Sequence, residues 1–316
     1  MNVEVEAPPK RSFKILRLFI AAAILFLIFI SYRVFAVYTI RTGECTQFDA
    51  SQVPPQWEGV RQKAGRTFHF PRRAVGAQRP LVILTFNIEG HAALWSSSHL
   101  RRVADVIREI QPDVVGLQEV HIGTWQSRFA DQAAQLAQMT GLNIQYGKSF
   151  EALGGEFGNA VLTRGTIVNA GVLPLPSTGE PRTLLRTTIE IDGNRMNVFV
   201  THLAAWGRLQ RRSRAEQMSC IQEHLQRSDL PFVLMGDFNA GPDTPEITGF
   251  TAGPLVRLLG SGTGETHKVM RNHIDLIFSD HGFEPNEVTI VHSGPSDHWP
   301  VKATLFWTEA DKPLNQ

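Results

Sequence analysis

The chain has 316 residues, of which 42% are hydrophobic and 19% charged, and its formal net charge is +1 at pH 7. This composition supports a large folded core and excludes a globally disordered chain, and the near-neutral charge indicates no bulk attraction to nucleic acid, although a local basic patch is compatible with it. Two cysteines, Cys45 and Cys220, are too few for a disulfide framework or a zinc cluster. Because Cys45 falls in a predicted linker and Cys220 in a predicted helix, we expect them not to pair.

The N-terminal segment combines a basic start with a long apolar stretch. Residues 1–17 are polar and basic, and an uninterrupted apolar run of thirteen follows from Leu18 to Ile30. The sequence is mostly apolar again from Val34 to Ile40. Since about 20 apolar residues span a bilayer, residues 18–40 are predicted to form one transmembrane helix.

Two alternatives to this anchor stay open. A signal peptide cleaved near Val34-Phe35-Ala36 fits the basic start and the apolar core, and a buried helix of a soluble protein is the third interpretation. The anchor is favoured because Arg33 and the renewed apolar run are unusual in a cleavage region. Positive charge before a span stays in the cytoplasm. We therefore expect a single-pass membrane protein whose remaining chain lies on the non-cytoplasmic side, although basic residues also follow the span.

The rest of the chain divides into a linker, one domain and a tail. Residues 41–79 contain Pro54, Pro55 and Pro71 and have no clear period, which predicts a linker or membrane-proximal arm. Helical spacing predicts helices over 100–110, 125–139 and 210–225. Apolar runs predict strands over 81–86, 114–117, 143–146, 157–163, 183–191, 195–200, 232–235, 274–278, 288–291 and 299–306. Because hairpins and helical crossovers both occur, residues 80–306 are predicted to form an α/β domain with mixed sheets, followed by a tail of residues 307–316.

Polar side chains stand where these apolar strands end. Asp237 and Asn239 follow the run Phe232–Met235 one residue apart, so in an extended chain their side chains would project together. Polar residues at other strand ends or inside an apolar strand are Asn87, Glu119, Asn159, His202, Asp275, Asp297 and His298. Each alone is an ordinary cap, turn or core residue. A buried carboxylate without a partner is costly, however, so the set together indicates one polar site.

The residue types in this set suit phosphate chemistry with a metal ion. Asn87, Glu119 and Asp297 supply the amide and carboxylate oxygens that a hard divalent cation prefers. Because no cysteine is among them, Mg²⁺ or Mn²⁺ fits better than a structural zinc ion. His202 and His298 could stabilise a phosphoryl group or transfer a proton.

Seven short motifs resemble those of the endonuclease/exonuclease/phosphatase superfamily, and they occur in that family's order over about residues 80–306. The motifs are Thr85-Phe86-Asn87-Ile88, Gly116-Leu117-Gln118-Glu119-Val120, Gly158-Asn159-Ala160, Thr201-His202-Leu203, Gly236-Asp237-Phe238-Asn239, Ile274-Asp275-Leu276-Ile277-Phe278 and Ser296-Asp297-His298-Trp299. The resemblance implies a four-layer α/β/β/α sandwich with its site at one end of the paired sheets. It also implies a magnesium-dependent phosphoesterase.

Roles carried over from the resemblance begin with the metal and the attacking water. Glu119 looks like the principal metal ligand, helped by Asn87 and Asp297. Asp237 would orient or deprotonate the water, and Asn239 would hold the phosphate or that water.

The remaining roles concern the phosphate. His298 would contact the scissile phosphate, and Asp275 would fix its ring. His202 resembles the second histidine of the deoxyribonuclease and sphingomyelinase branches, and Asn159 would hydrogen-bond the phosphate. Because the core motif positions match the family pattern, we do not expect a catalytically inactive homologue.

The substrate stays open, because the superfamily includes nucleases, DNA-repair enzymes, sphingomyelinases and inositol-phosphate phosphatases. We expect a membrane-tethered hydrolase of a phosphodiester in a lipid headgroup, a nucleic acid or a small phosphate ester. A nuclease or DNA-repair phosphodiesterase is the alternative, and a non-catalytic binding module is a further one. The resemblance implies no obligate protein partner.

Several residues near the motifs are candidates for substrate contact. Arg182 and Arg208 are the candidate substrate-binding residues. Arg208 belongs to a cluster with Arg211, Arg212 and Arg214 that could hold a phosphate-rich substrate, a nucleic acid or a lipid headgroup, or could form a solvated helix face. Trp95, Trp206 and Trp299 could stack on a base, rest on lipid or pack in the core.

Overall fold

The computed structural model describes residues 24, 41–49, 79–152, 154–205, 208–260 and 264–308, without the side chains of Arg208 and Leu209. The predicted transmembrane helix at 18–40 lies outside these residues except for Ile24. The basic segment 1–17, most of the arm 41–79 and most of the tail 307–316 also lie outside them. Within the described part of the chain, no helix is both long and apolar enough to cross a membrane.

The domain combines helical crossovers with runs of consecutive strands. The strands are β1 (Arg41–Thr42), β2 (Leu81–Asn87), β3 (Val114–Ile122), β4 (Asn143–Ala152), β5 (Gly155–Thr163), β6 (Thr166–Leu175), β7 (Ser177–Thr178), β8 (Arg182–Ile191), β9 (Asn194–His202), β10 (Phe232–Asp237), β11 (Arg257–Leu259), β12 (Asp275–Ser279), β13 (Phe283–Ile290) and β14 (Val301–Trp307). The helices are α1 (His99–Ile110), α2 (Gln132–Thr140), α3 (Arg208–Leu225) and α4 (Pro245–Phe250), with a 3-10 helix at Gly90–Leu94.

Two six-stranded mixed sheets form the centre of the domain. The first has the order β13-β14-β2-β3-β5-β4, and the second β11-β12-β10-β9-β8-β6. In each sheet one central pair is parallel, β2 with β3 and β9 with β10, and the other pairs are antiparallel. Because parallel neighbours run toward the same edge of a sheet, β2 ends at Asn87 beside Gln118 of β3, and β10 ends at Asp237 beside His202, the last residue of β9.

Three hydrophobic clusters show how the layers stack. Successive side chains of β2 point to opposite faces, so Ile83 belongs to the cluster between the two sheets and Leu84 to the cluster under α1 and α2. A third cluster lies between the second sheet and the helices α3 and α4. A Cβ atom on Gly116 would lie 2.6 Å from the sulfur of Met235 on the opposite sheet, so the sheets approach too closely there for a side chain. The result is the expected four-layer α/β/β/α sandwich.

Element bounds differ from the sequence prediction at several points. The helix predicted over 125–139 begins at Gln132, where the Asp131 side chain accepts a hydrogen bond from the Ala134 N–H; residues before it form turns. The strand β6 was not predicted. It contains Gly171 and Pro174 and lies at the edge of its sheet, where proline is tolerated, so its sequence lacks an ordinary strand pattern.

The expectation that the cysteines do not pair is wrong, because Cys45 and Cys220 form a disulfide with a Cα–Cα distance of 5.7 Å. The arm at 41–49 folds onto the second sheet, where Asp49 forms an isolated bridge with Val172. The phenyl ring of Phe48 packs 6.2 Å from that of Phe199. A separation of 175 residues hides this proximity from any local sequence pattern.

Candidate active site

Polar strand ends from both sheets meet at one end of the sandwich. Asn87 at the end of β2 lies beside β3, which carries Glu119. On the facing sheet Asp237 at the end of β10 is paired in register with His202 and with Asp275. The Nδ2 atom of Asn87 lies 3.1 Å from Oε1 of Glu119 and 3.1 Å from Oδ2 of Asp237. One amide therefore connects the polar groups of the two sheets.

The backbone is unusual at the residues that build this junction. Glu119 has φ 60°, within a register shift between Leu117 and Val120, and Asn239 has φ 50°. Such left-handed conformations cost non-glycine residues of order 1–3 kcal/mol and cluster at functional sites. At Gly236 a Cβ atom would lie 1.9 Å from the Thr201 carbonyl oxygen, so only glycine fits there.

His298 is held by a buried carboxylate and by a serine hydroxyl. Its Nδ1 atom lies 2.8 Å from Oδ2 of Asp275, and its Nε2 atom 3.7 Å from Oδ2 of Asp237. The Ser296 hydroxyl donates to the Asn87 carbonyl oxygen at 2.7 Å and accepts from the His298 N–H at 3.0 Å. This serine fixes the loop that carries His298 to the end of β2.

His202 also approaches the same oxygen of Asp237. Its Nε2 atom lies 3.4 Å from Oδ2 of Asp237, and its buried Nδ1 atom has no hydrogen-bond partner among the described residues. Burial, reinforced by the nearby positive charge of Arg182, holds the pKa of His202 well below its usual value. The imidazole of His202 is therefore neutral at pH 7.

Asp237 and His298 are buried groups of opposite charge, and each favours the charged form of the other. Burial, followed by the repulsion of Asp275, raises the pKa of Asp237 to about 7, against lowering contributions from His298, the Asn239 N–H and Asn87. Burial also disfavours a charged His298, but the carboxylates of Asp275 and Asp237 outweigh it and raise the pKa of His298 to about 10. His298 is thus an imidazolium at neutral pH beside a carboxyl group that titrates near neutrality.

Glu119 belongs to an acidic rim beside this pair. The Nδ1 atom of His91 lies 3.6 Å from Oε2 of Glu119, and its Nε2 atom 3.7 Å from Oε1 of Glu89. The Asp297 N–H donates to Oε2 of Glu89 at 2.9 Å. Burial opposes ionisation of Glu119, but the contact with His91, the nearby His202 and the Asn87 amide outweigh it and hold the pKa of Glu119 well below its usual value.

The donor set of this rim fits a hard divalent cation. Glu119, Asp297 and the neighbouring Glu89 present carboxylate oxygens at the same end of the sheets, and Asn87 adds an amide. Divalent cations such as Mg²⁺ take carboxylate and amide oxygens and keep several waters. Asn87 contacts Glu119 directly and is linked to Asp297 through Glu89, whose N–H donates to Oδ1 of Asn87 at 3.1 Å. That Glu119, Asn87 and Asp297 hold the ion stays a prediction.

Two parts of the site were not predicted from the sequence. Glu89 and His91 lie at the start of the 3-10 helix after β2, and the only sequence signal was the continuation of the Asn87 motif. His267 is buried in the loop before β12, with Nε2 3.8 Å from Oδ2 of Asp297 and its ring 4.6 Å from that of His298. Its Nδ1 atom accepts hydrogen bonds from two backbone N–H groups of the same loop, so no short sequence motif marks it.

Asn239 and Asn159 lie at the same end of the sheets, with their amides engaged by backbone. The Nδ2 atom of Asn239 donates to the Leu203 carbonyl oxygen at 3.1 Å, and its N–H donates to Oδ1 of Asp237 at 2.8 Å. The Nδ2 atom of Asn159 lies 3.4 Å from the Thr183 carbonyl oxygen. The buried Oδ1 atom of Asn159 has no partner among the residues that the structure describes. Asn239 thus orients Asp237, and Asn159 keeps one acceptor available.

Arg182 is a buried cation at the start of β8. Its Nη2 atom lies 2.9 Å from Oε1 of Glu180, and its side chain is only 6% exposed. Its Nε and Nη1 atoms have no hydrogen-bond partner within the described ranges. A buried guanidinium with two such N–H groups beside His202 is suited to receive an anion.

The arginines of α3 are engaged with carboxylates. Arg212 pairs with Glu216, and Arg211 and Arg214 pair with Glu246; Arg214 also donates to the carbonyl oxygens of Ala204 and Ala205. Arg214 therefore supports the segment after His202. The side chain of Arg208 and all of Trp206 lie outside the described residues.

Comparisons with known proteins agree with this geometry. The Endonuclease/Exonuclease/phosphatase family profile matches residues 84–298. No curated protein sequence matches the chain. A structure from Beutenbergia cavernae, described as an endonuclease/exonuclease/phosphatase, is 26% identical, with a TM-score of 0.62 and 72% of each chain covered.

Two more distant structures share the fold. The human Nocturnin catalytic domain with bound sulfate is 20% identical, with a TM-score of 0.57, and the match covers 74% of this chain and 97% of that one. A Bacteroides thetaiotaomicron mannosyl-6-phosphatase is 19% identical, with a TM-score of 0.59, and the match covers 72% of this chain and 100% of that one.

Proposed function

We propose that this chain, which belongs to the endonuclease/exonuclease/phosphatase family of phosphoesterase hydrolases, is a magnesium-dependent enzyme that hydrolyses a phosphodiester. We further propose that the enzyme is tethered to a membrane. The observation that carries the chemistry is the position of Asp237. Its Oδ2 atom lies within 3.1–3.7 Å of the Asn87 amide and of the Nε2 atoms of His202 and His298. A titratable carboxylate surrounded by phosphate-binding groups is what activation of water for attack on phosphorus requires.

Each of these residues has a distinct task in this proposal. Asp237, with its pKa raised to about 7, accepts the proton of the attacking water and holds that water in line with the leaving group. His298, kept charged by Asp275, donates through Nε2 to a phosphoryl oxygen and offsets the negative charge that develops there. Neutral His202 donates a second hydrogen bond to the phosphoryl group. Asn239 keeps Asp237 oriented through its N–H.

Enzymes of this family generally depend on a divalent metal ion. The oxygens of Glu119, Asn87 and Asp297 would hold that ion here, with Glu89 beside them as a further carboxylate. When bound, the ion supplies Lewis-acid stabilisation of the phosphoryl oxygens. We propose Mg²⁺, with Mn²⁺ as a substitute, because the donor set contains only carboxylates and an amide.

The membrane tether and the side of the membrane are parts of the same proposal. The apolar segment 18–40 supports the tether. The Cys45–Cys220 disulfide supports a non-cytoplasmic location, because structural disulfides persist in oxidising compartments and are rare in the cytoplasm. Expression of the full chain followed by carbonate extraction tests whether the protein is anchored in a membrane. Protease protection of intact cells or vesicles tests on which side of that membrane the domain lies.

The substrate is proposed only as a phosphodiester of a lipid headgroup, a nucleic acid or a small phosphate ester. Related structures carry names such as mannosyl-6-phosphatase and 2',3'-cyclic phosphatase, so phosphate esters of several kinds fit this fold. Arg182 is the candidate contact for a non-bridging phosphate oxygen. Arg208 is retained as a second candidate on its sequence position alone.

The experiment that tests this function uses the full chain in mild detergent with bis(p-nitrophenyl) phosphate, p-nitrophenyl phosphate and supercoiled plasmid. We expect diester hydrolysis with Mg²⁺, loss with EDTA, and recovery when Mg²⁺ is restored. Plasmid nicking with the same metal dependence would establish the nuclease alternative. Binding of inorganic phosphate without any hydrolysis would contradict the proposal and favour a non-catalytic module.

A further inference from the structure

Large apolar side chains are exposed at one end of this domain. Apart from Ile24 upstream, the described residues contain six exposed large hydrophobic side chains, and five of them lie on loops at the end of the sheets that carries Asp237. The five, which we call the apolar rim, are Trp95, Trp125, Phe129, Val269 and Met270, with exposed fractions of 80%, 54%, 69%, 77% and 46%. The sixth, Val168, lies near the start of β6 at the opposite end.

The rim is attached directly to the proposed catalytic residues. Trp95 follows the 3-10 helix that brings His91 to Glu119. Val269 and Met270 follow His267, and their N–H groups donate to its Nδ1 atom. Rim residues are therefore attached both to the segment that carries His91 and to the loop that carries His267.

The loop with Trp125 and Phe129 is held in place by specific hydrogen bonds. Arg128 donates to the Leu94 carbonyl oxygen at 2.9 and 3.3 Å, which fastens this loop to the one with Trp95. Arg128 and Phe129 adopt φ angles of 56° and 61°, a conformation unfavourable for an aromatic residue. The Phe129 N–H donates to the Thr124 carbonyl oxygen at 2.8 Å. The fold thus maintains a strained turn that holds a phenyl ring in water.

The chain enters the domain at this same end. Arg41, directly after the predicted span 18–40, pairs with Thr178 in β7. The preceding strand, β6, ends at Leu175, which pairs with Arg182 of β8. In the pairing of β8 with β9, Leu184 lies opposite Thr201, so Arg182 lies further toward the end of the sheet where β9 ends at His202. The Cys45–Cys220 disulfide fixes the arm to α3. A membrane that held residues 18–40 would therefore face the end of the domain with the site and the rim.

The chemistry of the apolar rim favours contact with lipid over contact with a nucleic acid or with a second copy of the chain. Tryptophan and phenylalanine suit the interface between headgroups and acyl chains, and the aliphatic Val269 and Met270 can insert there but offer no ring for stacking on a base. Arg101 and Arg102, exposed in the first turn of α1 at the same end, provide positive charge that complements anionic headgroups.

We propose that the apolar rim docks the active-site end of the domain onto an anionic phospholipid bilayer, so that the site opens onto the membrane surface. The term active site rests on the proposed function, but the docking itself does not require turnover. A second copy of the chain and a single-stranded nucleic acid are the competing occupants of the rim.

The test uses single-cysteine variants of the full chain, because both native cysteines are in the disulfide. Phe129→Cys and the matched control Val168→Cys are labelled with the fluorophore NBD. Each is reconstituted into vesicles of phosphatidylcholine and phosphatidylglycerol, with or without doxyl-labelled phosphatidylcholine. Equal thermal midpoints establish that both variants fold. We expect doxyl lipid to quench NBD at position 129 roughly twofold or more beyond its effect at position 168.

Any other pattern of the NBD signal overturns the docking proposal. Equal quenching at both positions would mean that the domain contacts lipid without orientation, and no quenching would mean that the rim does not reach it. An NBD signal at 129 that depends on protein-to-lipid ratio but not on doxyl lipid would assign the rim to a second copy. A signal that responds only to an added oligonucleotide would assign it to nucleic acid. Preferential quenching at 129 in a chain without diesterase activity would leave docking intact and contradict the catalytic proposal instead.

Discussion

The Nδ1 atom of His298 lies 2.8 Å from Oδ2 of Asp275, and both side chains are almost fully buried. This contact fixes the imidazole so that Nε2 faces Asp237. It also stabilises the imidazolium, because the pKa of His298 rises to about 10 despite the opposing effect of burial. Asp275 thereby acts through His298 and does not itself need to reach the substrate.

The variant Asp275→Asn should lower the pKa of His298. A group with a raised pKa is protonated until the pH exceeds that value, so loss of the carboxylate moves deprotonation, and with it the alkaline limb of the kcat/KM profile, to lower pH. We expect about a tenfold to hundredfold loss of activity at mildly alkaline pH and a smaller loss at acid pH. The profile is measured with bis(p-nitrophenyl) phosphate at saturating Mg²⁺. An unshifted alkaline limb would show that Asp275 has only a structural role.

The variant Asp237→Asn should abolish hydrolysis while preserving the fold. The amide is isosteric, so contacts with Asn87 and the Asn239 N–H can be kept in part, but it cannot accept a proton from water. We expect a loss of roughly 10²–10⁴-fold in kcat and an unchanged circular dichroism spectrum. Asp243→Asn, at an exposed position six residues along the chain, is the control and should retain full activity. Substantial activity in Asp237→Asn would sink the proposed mechanism.

Much of the site was predictable because its residues terminate strongly apolar strands. Asn87 and Asp237 follow runs that bury both faces, and a parallel neighbour brings each beside a second polar residue. The position of one sheet relative to the other cannot be predicted from such apolar runs. The bond from the Asn87 amide to Asp237, which joins residues 150 positions apart, could be inferred only from the resemblance of the ordered motifs to a known family.

The parts that escaped prediction depend on loops and long-range contacts. His267 contacts Asp297 and His298 from a loop without a motif. The turn at Trp125–Phe129 was predicted as the first part of a helix over 125–139, whereas the Asp131 cap starts the helix at Gln132. The pairing of Cys45 with Cys220 required the arm to fold back across the second sheet.

The Cys45–Cys220 disulfide should contribute measurably to stability. It closes a very long loop, for which the loss of unfolded-state entropy is of order 4–5 kcal/mol in the chain-entropy model, although measured effects are often smaller. We expect Cys45→Ser/Cys220→Ser to lower the free energy of unfolding by about 2–5 kcal/mol. Denaturant titration in EDTA measures this change. Thiol titration of the unfolded, unreduced wild type should find no free thiol, and two free thiols would contradict the pairing.

Arg182 should contribute to substrate affinity through its Nε and Nη1 atoms, which have no hydrogen-bond partner among the described residues. Removing a guanidinium that holds a phosphate oxygen weakens the bound substrate and the transition state together, so Arg182→Ala should raise KM by about tenfold or more with a smaller change in kcat. Arg182→Lys should recover little of this loss, because an ammonium cannot reproduce the planar fork. Arg186→Ala, a half-buried arginine of the same strand that lies over the ring of Phe48, is the matched control.

The pH dependence separates this role from a purely structural one. Because the charge of Arg182 contributes to lowering the pKa of His202, after burial itself, Arg182→Ala should raise that pKa. His202 then becomes protonated at a higher pH than in the wild type. The acid limb of the activity profile, which reports the loss of neutral His202, should therefore shift to higher pH. A KM increase together with this shift would assign Arg182 to the phosphate subsite. A fall in thermal midpoint with unchanged KM and acid limb would assign it to packing alone.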